Sequence, residues 1–475
     1  MVFSSLTFLF VFLPICLIVY FAIPVKYIMA RKYVLTVFSI IFYASGEPIY
    51  VFLIAASVSA TYLLSGQIEK RNKWVFILSL VLVLFPLGLF KYSNFIIDNI
   101  NLLLHSDLPY ISLVMPIGIS FYTFQILTYV IDLYRGQVHR QNNIGLLTLY
   151  IFFFPQLIAG PIVKYADIEK ALGSFNEDWD KIKEGVRRFL IGLSKKVIIA
   201  NQIGYIVDRI MEMDFNRVST QLMWLASVSF TIQLYFDFSG YSDMAIGLGK
   251  IFGFEFKENF KSPYLSLSAT DFWRRWHISM GSFFRDYIYI PLGGNRKGKL
   301  RWMINILIVW SVTGLWHGAN WNFVAWGLYY ALLLIMEKLF LGELLKIMPK
   351  LIAWTYTFFV TVFGWTIFMW DTNSVRYMLS RLARLFVQEK NALPFPFTVS
   401  MYELEACFVY LILGIIIATP IGNWLVAYSR RIMNPKIAGS YTFAILHDTF
   451  FICLFVICII FLVGETFNPF IYFRF

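Results

Sequence analysis

The chain has 475 residues, of which 59% are apolar, 19% aromatic and only 14% charged. Soluble globular domains carry about 25% charged residues, so this composition excludes an ordinary soluble protein and indicates a polytopic membrane protein. The formal net charge of +12 suits the cytoplasmic loops of such a protein. We therefore expect membrane lipid as a partner and no nucleic acid.

Long apolar stretches recur along the whole chain. They lie at 6–24, 33–44, 48–64, 74–90, 111–131, 146–158, 221–235, 303–315, 323–339, 351–370, 407–426 and 441–463. A membrane-spanning helix needs roughly 20 apolar residues, and several of these stretches are too short to cross alone. The pattern predicts an all-α bundle of about 10–12 transmembrane helices, with additional re-entrant or interfacial helices.

Clusters of lysine and arginine, which mark cytoplasmic loops, separate several of these stretches. The clusters lie at 26–32, 70–73, 195–196, 296–301 and 430–431. No segment resembles a soluble domain or an internal repeat, so we predict a single membrane domain over 1–475. Its motif-bearing core lies at 110–340 and its C-terminal transmembrane helices at 341–475. The cysteines lack metal-ligand spacing, so we expect no metal site. We also expect no bound cofactor.

The longest polar region, 164–201, contains an amphipathic pattern. Ile182, Phe189 and Leu193 recur at helical spacing and are opposed by lysines and arginines, which predicts an amphipathic helix. The pattern fits equally a helix that lies on the anionic cytoplasmic leaflet and a loop helix packed on the protein.

Two carboxylates, Asp237 and Asp243, stand in an apolar context. Acidic groups at membrane depth usually pair inward with histidine, arginine or backbone donors. Such a group can orient a catalytic histidine, form part of a proton path or hold helices together, and the last of these roles is the commonest.

A second polar region, 250–301, carries His277. Thr270 or Asp271 can cap a helix there. Such a helix places several large side chains on one face: Trp273, Trp276, His277, Met280 and Phe284. His277 is therefore predicted to point toward a buried aromatic side, where support of a neighbouring group is its favoured role.

His317 interrupts a long apolar run. A helix over 302–316 would extend only about 22 Å, short of the roughly 30 Å hydrocarbon core, and a second apolar stretch begins at Trp321. This predicts a helical hairpin whose turn, 317–320, lies partway across the membrane. Broken helices at that depth are tolerated only against protein or a water-filled cavity. His317 therefore lines a pocket or tunnel, or it satisfies backbone carbonyls freed at the break.

A set of motifs spread over nearly the whole length carries a family resemblance. They are Ser-Phe-Tyr-Thr-Phe-Gln at 120–125, Phe-Pro-Gln-Leu-Ile-Ala-Gly-Pro at 154–161, Tyr-Phe-Asp-Phe-Ser-Gly-Tyr-Ser-Asp at 235–243, Asn-Phe-Lys-Ser-Pro-Tyr at 259–264, Asp-Phe-Trp-Arg-Arg-Trp-His at 271–277, Arg-Asp-Tyr-Ile-Tyr-Ile-Pro-Leu-Gly-Gly-Asn-Arg at 285–296, Gly-Leu-Trp-His-Gly-Ala-Asn-Trp at 314–321 and Pro-Phe-Ile-Tyr-Phe-Arg-Phe at 469–475. In this combination the chain resembles the membrane-bound O-acyltransferase (MBOAT) family, and within it the branch of the alginate O-acetyltransferase membrane subunit.

The resemblance implies a many-helix bundle around a central funnel or tunnel. It matches His317 to the essential histidine of the family and His277 to its second characteristic histidine, in a supporting role. We assign the remaining candidate site residues to the lining of the substrate path: Trp273, Trp276, Trp316, Asn320, Trp321, Asp237 and Asp243.

The function expected from this resemblance is acetyl transfer across a bacterial plasma membrane for O-acetylation of an extracytoplasmic polysaccharide. Acetyl-CoA from the cytoplasm is the expected donor substrate, His317 the base, and an extracytoplasmic SGNH-hydrolase-like acetyltransferase the partner that receives the acetyl group on a serine. One alternative is D-alanyl transfer from a carrier protein to teichoic acid. Another, from a different class, is a transporter of polysaccharide or lipid-linked sugar, although the inverted repeat of many transporters is not seen.

Overall fold

The computed structural model describes residues 1–158, 160–173, 178–370, 372–390, 392, 401–419, 441–464 and 470. Within these residues every regular element is a helix, which confirms the all-α fold class. The basic cluster at 430–431 and most of the terminal motif at 469–475 lie outside the described residues.

The chain divides into two compact units, Met1–Phe189 with Tyr241–Lys257 and Leu190–Gly240 with Glu258–Phe475. The first unit contains α1 (Leu13–Ala22), α2 (Ile28–Ala44), α3 (Tyr50–Glu69), α4 (Lys73–Leu87), α5 (Ser93–Leu104), α6 (Ile119–Arg135), α7 (Ile144–Phe152), α8 (Phe154–Leu157) and α9 (Tyr165–Gly173). Helices α10 (Trp179–Ser194) and α12 (Thr220–Ile251) contribute residues to both units. The second unit contains α11 (Asn201–Met211), α13 (Ala269–Arg275), α14 (Ile278–Phe284), α15 (Lys299–His317), α16 (Trp321–Met336), α17 (Gly342–Ile347), α18 (Lys350–Met369), α19 (Val375–Ala383), α20 (Met401–Ala418) and α21 (Tyr441–Gly464).

Seven helical stretches in the described part of the chain are long and apolar enough to cross a membrane. They are Val25–Ala44, Tyr50–Glu69, Lys73–Leu104, Trp179–Met211, Trp321–Ile347, Lys350–Met369 and Ile445–Gly464. Two shorter apolar helices, Phe8–Ala22 and Cys407–Ala418, accompany them. The chain is therefore a multi-pass membrane protein, and the total of about 10–12 crossings stays a prediction.

The amphipathic pattern predicted within 164–201 lies on a helical stretch that continues beyond that region. Helix α10 continues through a π-helical segment, Lys195–Ala200, into α11, and together they make up the stretch Trp179–Met211. In the first unit the polar face of α10 is paired with protein, since Lys181 forms an ion pair with Glu255 at 2.5 Å. The apolar side chains Ile182 and Phe189 of α10 are buried, so this face packs on protein, and the position of the helix relative to the leaflet stays a prediction.

Two lysines of the predicted cytoplasmic clusters are buried, so they do not mark solvated loops. Lys32 in α2 has no exposed surface, and its ammonium donates to the Ala171 carbonyl at 2.8 Å within the first unit. Lys196 is 5% exposed and forms an ion pair with Asp237 within the second unit. The prediction failed at these positions because a count of charges does not separate a loop lysine from one that meets a carboxylate or a carbonyl inside the bundle.

Helices α15 and α16 of the second unit form the predicted hairpin, joined by residues 318–320. The two backbones lie in close contact because glycines stand at the crossing. A Cβ atom added at Gly314 would overlap the Phe323 carbonyl, and one added at Gly327 would overlap the Trp310 carbonyl. The glycines therefore set the separation of the two helices.

Helix α15 is longer than the stretch of 302–316 expected from the apolar pattern. It begins at Lys299 and has 19 residues, which corresponds to about 28 Å of helix. That length is close to the roughly 30 Å hydrocarbon core. Helix length by itself therefore no longer places the turn of the hairpin partway across the membrane.

We predict that Gly327→Ala pushes α15 and α16 apart, because the added methyl group overlaps the Trp310 carbonyl. Overpacking of this kind costs about 1–3 kcal/mol of stability, so the thermal unfolding midpoint of the detergent-solubilised protein should fall by several degrees. Gly88→Ala is the matched control, because Gly88 also lies in helical backbone and an added Cβ there meets no atom within 4 Å. Equal midpoints for the two variants would contradict the close contact.

Candidate active site

His317 is the last residue of α15 and is enclosed by aromatic rings of the second unit. It is 3% exposed. Its ring centroid lies 4.8 Å from that of Trp316, 4.9 Å from that of Trp326 in α16 and 5.2 Å from that of Phe368 in α18. Three helices thus fix the position of one imidazole inside an apolar interior.

The turn of the hairpin is tied to the end of α18. The backbone N–H of Asn322 donates to the Thr372 carbonyl at 3.4 Å, and the Asn322 side-chain amide donates to the Phe368 carbonyl at 3.5 Å. Next to His317, an added Cβ at Gly318 would overlap the ring of Phe323. The backbone at the turn is therefore closely packed.

His277 lies at a break between two short helices. Helix α13 ends at Arg275, and α14 begins at Ile278. His277 stands between them with φ +44°, in the left-handed region that a non-glycine residue adopts only when its surroundings hold it there. The prediction of one continuous helix with His277 on its face is wrong at this point.

The buried, aromatic surroundings predicted for His277 are observed. Its side chain has no exposed surface, and its ring centroid lies 4.6 Å from that of Phe238 and 6.0 Å from that of Trp316. Burial lowers the pKa of His277 to about 3. The imidazole is therefore neutral at physiological pH.

The two histidines share one neighbour, the indole of Trp316, which contacts both imidazole rings. Two further predicted residues belong to the same aromatic cluster. The ring of Trp273 lies 5.5 Å from that of Trp326, and Trp276 reaches the cluster through Trp365 of α18, at a ring separation of 4.9 Å. The structure thus brings together His317, His277, Trp316, Trp273 and Trp276.

The other predicted lining residues lie in different surroundings, and their place on a substrate path stays a prediction. Asn320 immediately precedes α16, and Trp321 begins it with 40% of its surface exposed. Asp237 forms an ion pair with Lys196 at 2.5 Å in the second unit. Asp243 forms one with Arg188 at 2.6 Å in the first unit.

Glu337, which the sequence patterns did not single out for the site, anchors the helix that leads to His277. Its carboxylate is 5% exposed and accepts hydrogen bonds from the backbone N–H of Ala269 at 2.6 Å and of Thr270 at 2.8 Å, and from the Thr270 hydroxyl at 2.6 Å. A carboxylate is favoured at a helix N-terminus, where backbone N–H groups have no helical partner.

The expected capping role of Thr270 or Asp271 belongs to another residue. The Ser268 hydroxyl accepts from the Asp271 N–H at 3.0 Å, and Asp271 instead pairs with Arg275. The cap was misplaced because Ser, Thr and Asp all occur at the start of this helix and all are good N-cap residues.

Asn259 is the second residue that sequence reasoning missed, although it begins one of the motifs. Its side-chain oxygen lies 3.1 Å from Nδ1 of His277, and it accepts from the backbone N–H of Ser279 at 3.2 Å and from the Ser279 hydroxyl at 2.9 Å. The Asn259 carbonyl also accepts from the Ile278 N–H at 3.0 Å. Asn259 therefore contacts both the imidazole of His277 and the backbone that directly follows it in the chain.

Comparison with known proteins decides the family of this chain. The sequence model of MBOAT, the membrane-bound O-acyltransferase family, matches residues 73–380. The chain belongs to this family. It is therefore a membrane-bound O-acyltransferase, and the resemblance carried by the motifs is confirmed.

Three relatives show which kinds of protein this MBOAT protein is similar to in sequence. It is 38% identical over 390 residues to the probable alginate O-acetylase AlgI of Azotobacter vinelandii, covering 80% of this chain and 77% of the relative. It is 34% identical over 409 residues to the peptidoglycan O-acetyltransferase of Helicobacter pylori, covering 78% and 77%. The teichoic acid D-alanyltransferase of Bacillus subtilis is 28% identical over 329 residues, covering 64% of this chain and 81% of the relative. The protein is a multi-pass bacterial membrane protein.

We predict that the Lys196–Asp237 pair of this acyltransferase serves structure. Asp237→Asn leaves the Lys196 ammonium buried without this counter-charge, which should cost about 3–5 kcal/mol of stability. Replacing both charges, with Lys196→Met and Asp237→Leu, should restore much of the thermal unfolding midpoint and the acyl-transfer activity. A double variant that folds as stably as wild type but has no activity would instead assign the pair to catalysis.

Proposed function

We propose that this O-acyltransferase takes acetyl from cytoplasmic acetyl-CoA and passes it across the membrane for O-acetylation of an extracytoplasmic polysaccharide. The observation that carries the proposal is the buried imidazole of His317 at the end of α15, enclosed by Trp316, Trp326 and Phe368. Similarity to proteins named as alginate and peptidoglycan O-acetyltransferases supports the acetyl group and the polysaccharide.

The chemistry assigned to His317 is that of a general base. The hydroxyl oxygen of the acceptor attacks the thioester carbonyl carbon while a nitrogen of His317 removes the hydroxyl proton. The tetrahedral intermediate collapses with cleavage of the C–S bond, an oxygen ester forms, and the CoA thiolate leaves and takes up the proton held by His317. Holding donor and acceptor together against one imidazole lowers the entropic part of the barrier.

The choice of His317 over His277 follows from the motifs, which match His317 to the essential histidine of the family. A general base works best when its pKa lies near the operating pH, and burial lowers the pKa of His277 to about 3. His277 is thus a poor proton acceptor at neutral pH, and we assign it a supporting role beside Trp316.

Stabilisation of the tetrahedral oxyanion requires donors aimed at the reacting carbonyl. Candidates at the turn are the Trp316 indole, the Asn320 amide and backbone N–H groups near the break. The indole N–H groups of Trp326 and Trp365 add to this set, since both are buried and have no hydrogen-bond partner among the described residues. Buried donors without partners are costly, which favours a role in binding a polar group.

The immediate acceptor in this proposal is a serine of an extracytoplasmic SGNH-hydrolase-like acetyltransferase, which then acetylates the polymer. The basic residues at 296–301 lie just before α15 and in its first turn, and by the positive-inside rule they lie on the cytoplasmic side. The end of α15 that carries His317 is then the end farther from the cytoplasm. An acetyl group can in this way reach an outer acceptor while CoA remains inside.

A second candidate function within the family is transfer of D-alanine from a carrier protein to teichoic acid. The similarity to a teichoic acid D-alanyltransferase favours it, at lower identity than the O-acetyltransferases. The transporter alternative is not retained, because the chain belongs to a family of acyltransferases.

We predict that His317→Ala lowers the rate of acetyl transfer from radiolabelled acetyl-CoA to the partner or polymer by about 10²–10⁴-fold, the usual contribution of a general base. The matched control is His139→Ala, because the His139 side chain is 95% exposed in the first unit. This variant should transfer acetyl at the wild-type rate. Transfer that survives His317→Ala would remove the proposed base, and label accepted only from an acyl carrier protein would favour D-alanyl transfer.

A further inference from the structure

The contacts of Asn259 determine which nitrogen of His277 carries hydrogen. The backbone N–H of Ser279 is only a donor, so the Asn259 atom that it meets at 3.2 Å is the amide oxygen. The same oxygen lies 3.1 Å from Nδ1 of His277. Because an amide oxygen only accepts, Nδ1 must carry the hydrogen, and Nε2 of a neutral imidazole then presents a lone pair.

The backbone around this contact is fixed on both sides. The N–H of Lys261 donates to the Arg275 carbonyl at 2.9 Å, and the N–H of Ile278 donates to the Asn259 carbonyl at 3.0 Å. These bonds hold the segment that begins at Asn259 against the break between α13 and α14. They also hold His277 in its left-handed conformation, which is strained for a non-glycine residue.

Nε2 of His277 is buried and has no hydrogen-bond partner among the described residues. A buried acceptor without a partner destabilises the protein. The rings of Phe238 and Trp316 pack against the imidazole, in the same cluster that encloses His317. A bound substrate that brings an N–H or O–H to this cluster would satisfy the lone pair.

We propose that Asn259 is a positioning residue that holds His277 in the Nδ1–H tautomer, so that Nε2 accepts a hydrogen bond from an N–H or O–H of a bound substrate. The role in substrate binding rests on the proposed function, whereas the tautomer does not. Two sources fit this chemistry, an amide N–H of the thioester donor's arm and a hydroxyl of the acceptor. A neutral hydrogen-bond acceptor at Nε2 of His277 holds a substrate without competing with His317 for the proton of the attacking hydroxyl.

No charged side chain of the described residues contacts the His277 ring, so Asn259 is the residue that sets its tautomer. Among the described residues the ring contacts Asn259, Ser279, Phe238 and Trp316, and none of these side chains is charged. Titratable side chains flank these contacts along the chain at Glu258, Asp237 and His317. Of these, Asp237 is already paired with Lys196. A charge introduced at position 259 would therefore act directly on the imidazole.

The tautomer is tested first by nitrogen NMR of protein labelled with ¹⁵N-histidine, with His277→Phe used to assign the signal among five histidines. In the wild type we expect a protonated Nδ1 and an unprotonated Nε2 at neutral pH. Hydrogen on Nε2 would overturn the proposal. This measurement needs neither acetyl transfer nor a stable variant at position 259.

The positioning role is tested with Asn259→Asp. A carboxylate beside Nδ1–H stabilises the imidazolium, so the pKa of His277, followed through its ¹⁵N signals, should rise by about 1–3 pH units. Asn142→Asp is the matched control, because it makes the same exchange at an exposed position of the first unit, so its His277 titration should match that of the wild type. An unchanged pKa of His277 in Asn259→Asp would reduce Asn259 to a structural role.

The substrate contact is tested by KM. His277→Phe keeps an aromatic ring and removes Nε2. The loss of one hydrogen bond should raise KM about 10-fold for the substrate that donates it. A rise for acetyl-CoA identifies the donor arm, and a rise for the hydroxyl substrate identifies the acceptor. Unchanged KM values for both would contradict the contact while leaving the proposed chemistry at His317 intact.

Discussion

The backbones of α15 and α16 approach so closely that a side chain at Gly314 or Gly327 would overlap the opposite helix. This contact places the end of α15 beside the first turns of α16, and so brings His317 against Trp326. Helix α18 then completes the enclosure through Phe368. A single imidazole is in this way held inside an apolar interior, where its interactions with bound groups are stronger than in water.

Buried charge in this protein serves mainly to join helices. Lys196 meets Asp237, Arg188 meets Asp243, and the Glu337 carboxylate meets the N-terminus of α13. Each group would be costly in an apolar environment if it stood alone. The carboxylate of Glu337 supports the site indirectly. It anchors α13, which carries Trp273 and leads to the break at His277.

The composition and the apolar stretches were sufficient to predict the helical class, the hairpin and the burial of both histidines. The ends of α15 and the break at His277 could not be read from them, because periodicity reports which face is apolar and does not report where a backbone leaves the helical region. Asn259 and Glu337 were not predicted as site residues for a similar reason. Their importance comes from partners that lie at a distance along the chain, and only the folded structure brings these together.

The site therefore places two buried imidazoles against one indole, with His317 as the proposed base, and the central claim is that a thioester binds among these rings. The most direct measurement is a cryo-electron microscopy structure of the full-length protein with a thioether analogue of acetyl-CoA, which cannot transfer its acetyl group. The account predicts that the acetyl carbonyl contacts His317 within the cluster of Trp316, Trp326 and Phe368. An analogue bound elsewhere, with His317 still enclosed by those rings alone, would contradict it.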